Sequence, residues 1–152
     1  MNATLRDALK AVSPPDHTVV FLGGTCNGSL WRELFIPQLT VPYFNPIKPV
    51  WTEAYREREN EVKSVAPVAV YVIKPRQVGF YSFIEMMDAV FQAASRKQKI
   101  GIFFLTQDNE SYWSDDQIAS VNASIALIKT YPDANVFNSL EELAQWVNLL
   151  KS

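Results

Sequence analysis

Three β-branched and apolar runs constrain this chain more than any other feature: residues 18–22 (Thr-Val-Val-Phe-Leu), 67–73 (Pro-Val-Ala-Val-Tyr-Val-Ile) and 99–105 (Lys-Ile-Gly-Ile-Phe-Phe-Leu). A strand with one wet face alternates apolar and polar side chains, whereas a strand that is apolar at nearly every position needs cover on both faces. Central strands of a parallel sheet, with helices packed on either side, meet that need. Two shorter β-like segments, 41–46 and 136–138, bring the count to five, and helical patterns separate them. Such alternation predicts an α/β fold with right-handed crossovers. The strand number suits a flavodoxin-like three-layer α/β/α arrangement with a five-stranded parallel sheet in the order 2-1-3-4-5. At 152 residues the chain is expected to form a single domain, 1–152, with no repeat or linker.

The connections carry clear punctuation. Leu5, Leu9 and Val12 lie on one face of a predicted helix over 3–12, which Pro14-Pro15 ends. After the first strand comes Gly23-Gly-Thr-Cys-Asn-Gly28, holding three of the chain's five glycines. A glycine loop that opens a helix lets backbone approach a ligand and offers free N–H groups, although a tight strand-to-helix turn uses the same residues. It matches neither the G-x-G-x-x-G fingerprint nor a P-loop. A helical stretch over 29–36 follows, closed by Pro37. Prolines 42, 46 and 49 make the next connection extended, with Asn45 and Trp51 in it. Thr52-Glu53 opens a helix of alternating charge, expected to be a solvated face without chemistry. Residues 106–113 read as a polar and aromatic loop, and Ser114-Asp-Asp-Gln117 as a capping box opening the helix to about Lys129. Ser139 is expected to cap the final helix.

The helix over 79–97 is mostly apolar yet carries Glu85, Asp88 and Gln92 at i, i+3 and i+7, a polar stripe on one face. Two readings of Glu85 stand. Ser82-Phe-Ile-Glu85 fits a capping box, in which the carboxylate reaches back to the Ser82 N–H. Alternatively, a carboxylate at the first turn of a helix that follows a strand end sits where open α/β sheets keep ligands. In the 2-1-3-4-5 order, the switch point between strands one and three places the 23–28 loop beside residues 79–85.

Composition narrows the function. A net charge of −2 without a basic tract argues against duplex nucleic acid, and no apolar run reaches membrane-spanning length. One cysteine, Cys26, excludes an internal disulfide and suits a reducing, cytoplasmic setting. One histidine, His17, beside that single cysteine makes a His/Cys zinc site or a Ser-His-Asp triad a poor expectation, and no cofactor is called for.

Taken together, Phe21-Leu-Gly-Gly-Thr, Trp31, Asn45-Pro46 with Trp51, and the segment from Gly79 through Glu85 resemble the nucleoside 2-deoxyribosyltransferase-like family, across roughly residues 18–105. The resemblance implies an enzyme, usually homo-oligomeric, that cleaves the N-glycosidic bond of a nucleoside or nucleotide. It passes the deoxyribosyl group to another base or to water. Glu85 would be the nucleophile of a double displacement, forming a covalent sugar ester through an oxocarbenium-like transition state. Gly23, Gly24 and Thr25 would hold substrate, Asn45 and Trp51 would line the base side, and Gly79, Tyr81 and Ser82 would flank the nucleophile. The chain departs from the family where an acidic residue commonly precedes the glutamate: it has Gly79, and Lys74-Pro-Arg76 at the end of the third strand. Asp88, Asp108 or a carboxylate of a neighbouring subunit could supply the missing acid, and Lys74 with Arg76 could meet a 5′-phosphate. The missing acid also motivates the alternative of a non-catalytic nucleotide-binding module of the same fold. A flavin or phosphoacceptor domain fits less well, because the first strand ends in Gly-Gly-Thr rather than an acidic cluster.

Overall fold

A computed structural model describes residues 14–26, 28–48, 50–75, 80–109 and 111–151. The expected helix over 3–12 lies outside the described residues, as do Arg76 and Gly79. The strands are β1 (Val20–Gly24), β2 (Tyr43–Phe44), β3 (Val68–Ile73), β4 (Lys99–Phe104), β5 (Gln107–Asp108), β6 (Ser111–Tyr112) and β7 (Ala134–Val136). The helices are α1 (Trp31–Phe35), α2 (Glu53–Val65), α3 (Tyr81–Arg96), α4 (Asp115–Ile128) and α5 (Leu140–Lys151). Five strands form one all-parallel sheet in the order β2-β1-β3-β4-β7, which is the flavodoxin-like order expected.

The apolar runs become central strands because both faces of each are covered. Phe21, Ala69, Tyr71, Ile73, Ile100 and Ile102 point to one side and pack against Val62 of α2, Met86 and Val90 of α3, and Ile128 of α4. Val20, Leu22, Val70 and Val72 point to the other and pack against Trp31 and Phe35 of α1 and Leu143 and Val147 of α5. The period-two split of each strand thus builds two cores, one per face. Gly101 is a glycine by crowding: a Cβ there would lie 2.5 Å from the Trp146 ring and 2.6 Å from Leu143.

Several boundaries move from their expected places. A 3-10 turn over Asp16–Thr18 delays β1 to Val20, since the Thr18 N–H and hydroxyl both donate to the Pro15 carbonyl. In turn, β1 runs on through Gly23 and Gly24, so the loop is shorter than expected. Residues 107–108 and 111–112 pair as the antiparallel strands β5 and β6 rather than lying in a loop, with Asn109 at a φ of 52°. The last sheet strand lies at 134–136, two residues earlier than expected. The capping box at Ser114 and Gln117 forms, and Ser139 accepts from the Glu142 N–H at 3.1 Å. No helix among the described residues is long and apolar enough to cross a membrane.

Candidate functional site

Helix α3 starts at Tyr81 with Phe80 at its N-cap and no side-chain cap, which places Ser82 inside the first turn. The Ser82–Glu85 capping box therefore does not form. Glu85 turns inward instead, 8% exposed, and accepts a hydrogen bond from the Lys63 ammonium of α2 at 2.8 Å. Burial alone pulls the Lys63 pKa down, but its charge attraction and hydrogen bond to Glu85 outweigh that, and Lys63 ends above its ordinary value. The Tyr81 phenol stands one helical turn before Glu85 and feels the same carboxylate. Burial, then the Glu85 charge, raises the Tyr81 pKa.

Lys63 is held from behind. Gln98, 2% exposed, donates through Nε2 to the carbonyls of Lys63 and Ala66, both at 2.7 Å. These are last-turn acceptors that no further helix N–H can reach. A residue at the end of α3 thus pins the end of α2 on which the glutamate's cation stands.

Next to this pair opens a cleft of about 430 Å³ lined by Cys26, Pro46, Ile47, Lys48, Trp51, Glu59 and Tyr81. Glu59 lies one turn before Lys63 on α2 and is half-buried. Among the described residues it makes no hydrogen bond or ion pair. Burial raises its pKa, the Glu85 charge raises it further, and Lys63 and Arg32 only partly offset them. Beneath the cleft Arg32, 4% exposed, donates to the Thr25 carbonyl at 2.7 Å and the Leu22 carbonyl at 2.8 Å, with burial lowering its pKa. Cys26 stands accessible at the mouth, where the protein around it raises its thiol pKa against the pull of Arg32, with Glu85 and Glu59 adding to the rise.

The structure sorts the sequence-derived site residues. Tyr81 and Trp51 line the cleft, Trp51 57% exposed, whereas Glu85 is buried against Lys63 and is not part of the lining. Ser82 is half-buried in the first turn of α3, without a capping role. Asn45 turns its Oδ1 to the Ile47 N–H at 3.3 Å, shaping the loop that delivers Pro46 and Ile47. Gly23 and Gly24 are paired in β1 with Tyr71 and Val72 of β3, so their backbone serves the sheet. A Cβ on Gly23 would lie 2.4 Å from the Tyr71 ring, and one on Gly24, whose φ is +97°, 2.3 Å from the Val72 carbonyl oxygen. Thr25 is buried and acts as a clamp, its hydroxyl accepting from the Lys74 N–H at 3.2 Å and its carbonyl from the Trp31 indole at 2.9 Å.

The two auxiliary acids fall elsewhere. Asp88 faces outward, accepting from Gln92 at 2.6 Å with Arg96 at 3.7 Å, so the expected polar stripe divides into an inward Glu85 and an outward Asp88. Asp108 is buried in the hairpin, with Oδ2 unpartnered among the described residues, and does not line the cleft. Among the described residues no group of three or more His, Cys, Asp and Glu could hold a metal ion.

Glu59 and Lys63 do not stand out in the sequence as site residues, because the alternating charges of α2 have the pattern of a solvated face. The signal was present: Glu59, Val62, Lys63 and Ala66 fall at i, i+3, i+4 and i+7, one face of the helix, and Val62 and Ala66 are fully buried.

No family model and no curated protein matches this chain.

Proposed function

We propose that this protein cleaves the N-glycosidic bond of a nucleoside or nucleotide, with Glu85 as the nucleophile and transfer of the sugar, 2-deoxyribosyl by the resemblance, to a second base or to water. The observation that carries the reading is the state of Glu85. It is a buried carboxylate, paired with Lys63 and one helical turn from the cleft-lining Tyr81 rather than spent on a helix cap. A carboxylate suits attack at an anomeric carbon because its charge stabilises the oxocarbenium-like transition state and it needs no base to activate it. The exposed Trp51 ring and the Tyr81 phenol flank a space of about 430 Å³, enough for a small planar base and a pentose.

The test is chromatographic: base release and base exchange from a panel of deoxynucleosides and their monophosphates, wild type against Glu85→Gln. Turnover is expected in the wild type and a fall of at least about 10³-fold in a folded Glu85→Gln protein. Base exchange among the products indicates a transferase, free sugar a hydrolase. Equal turnover in both proteins removes Glu85 from the mechanism.

The second reading, a binding module of the same fold, draws on the Lys63–Glu85 ion pair, which neutralises the carboxylate. Retention of a nucleotide by a protein that turns over no member of the panel favours it.

A further inference from the structure

We infer that Glu59 is the acid/base partner of Glu85, protonating the departing base and then deprotonating the water or second base that releases the sugar; the inference rests on the glycosidic reading above. The acid absent from the end of the third strand is replaced by a carboxylate from a different element, one helix away.

The geometry points there from three sides. Glu59 lines the same cleft as Tyr81 and Trp51, so it faces the volume a substrate occupies. It stands on the same face of α2 as Lys63, one turn away, and Lys63 reaches Glu85 at 2.8 Å. Glu59 and Tyr81 therefore border the cleft from adjacent helices, and Lys63 ties the Glu59 face of α2 to Glu85, which lies one helical turn from Tyr81. Among the described residues, the half-buried Glu59 makes no hydrogen bond or ion pair, which leaves its carboxyl available to a substrate nitrogen.

The charged groups around Glu59 favour its holding a proton. Glu85 and the Tyr81 phenol face it from α3, Lys63 from its own helix, Arg32 from α1, Cys26 from the loop after β1 and Lys48 from the segment after β2. Burial and Glu85 raise its pKa, and this exceeds the opposing effect of Lys63 and Arg32. A raised carboxyl facing the substrate volume suits the acid/base role that a retaining glycosidase requires.

The steps balance. An oxygen of the Glu85 carboxylate bonds to the anomeric carbon as the carbon–nitrogen bond breaks. The electron pair of that bond goes to the base, which takes the Glu59 proton and leaves neutral. Water then attacks the anomeric carbon and gives a proton to the Glu59 carboxylate. The ester carbon–oxygen bond returns its pair to Glu85, and both carboxyl groups regain their starting states. In transfer, the N–H of the incoming base takes the place of water.

The experiment compares wild type, Glu59→Gln and Glu85→Gln on two substrates, with melting curves to establish folding. One is the best ordinary deoxynucleoside from the panel, whose base must be protonated to leave. The other is 7-methyl-2′-deoxyguanosine, whose base leaves neutral without a proton. For Glu59→Gln, turnover of the ordinary substrate is expected to fall about 10²–10⁴-fold. The first base release from the methylated substrate is expected to fall less than about tenfold. Its steady state then stalls, with a pentosyl adduct on Glu85 visible by mass spectrometry. Azide is expected to restore turnover and yield the glycosyl azide. The alkaline fall of the wild-type rate is expected to disappear in the variant. Equal losses on both substrates, or none on either, overturn the role of Glu59 while leaving Glu85 in place. A Glu85→Gln protein as active as wild type, or a wild type inert on the panel, overturns the glycosidic reading and this inference with it.

Discussion

Lys63 and Glu85 have side chains 12% and 7% exposed, so neither charge can turn to water if the other is removed. Breaking a buried pair by deleting one partner strands the survivor, at a cost of about 3–5 kcal/mol. Lys63→Met is accordingly expected to lower stability by about 3 kcal/mol at neutral pH. Denaturant unfolding of both proteins at pH 7 checks it. A loss of under about 0.5 kcal/mol at pH 7, the range of surface substitutions, would place the pair in solvent. Glu85 itself was legible from its place on a mostly apolar helix after a strand. Lys63 was hidden because a lysine beside four glutamates in α2 has the pattern of a solvated face, and only packing against Val62 and Ala66 distinguishes it. Gly23 and Gly24 were legible as glycines with a purpose, but their purpose is the Tyr71 ring and the Val72 backbone, each 48 positions further along the chain.

Among the elements, α3 shows how local signals differ in reach. Its C-terminus closes through Lys97 at a φ of 55°, with the Gln98 N–H donating to the Ala93 carbonyl at 2.9 Å and the Lys97 N–H to the Ala94 carbonyl at 3.2 Å. That is a Schellman ending built on a lysine, where glycine avoids a left-handed strain of roughly 1–2 kcal/mol. The extra freedom of glycine in the unfolded chain returns part of the gain. Lys97→Gly is expected to raise the melting temperature by about 2 °C, and calorimetry showing a decrease would count against this account. The cap at Ser114 was legible because four consecutive residues contain all of its partners. The same four-residue logic failed at Ser82, since nothing in Ser-Phe-Ile-Glu records that Phe80 and Tyr81 have already begun the helix. The β5–β6 hairpin escaped notice for a similar reason: two-residue strands carry no period.

At the scale of the whole molecule, the sheet order was legible because continuous apolar runs must be central and right-handed crossovers leave few arrangements. Where the cleft would open was only partly so, since it depends on how far α2 and the segment after β2 stand from α3. The charges gathered there bear on stability as well as chemistry. Glu59 holds its proton more tightly in the folded state than at its ordinary 4.5, so it contributes a penalty. The penalty is absent well below that ordinary value, grows as pH rises through it, and is complete above the folded value. Glu59→Gln is therefore expected to melt above wild type at pH 7 and together with it near pH 3, which paired thermal scans can check. Lys63 works in the opposite sense: its raised pKa contributes stability that is full below 10.5 and is lost as pH rises through the folded value.

Cys26, the only sulfhydryl of the chain, stands open to solvent on the lining of that same cleft. A fluorophore attached there by alkylation would sit alone, with no competing label elsewhere, and would sense whatever enters beside it. The molecule therefore carries its own occupancy gauge, one that can rank compounds before any reaction has been assigned to them.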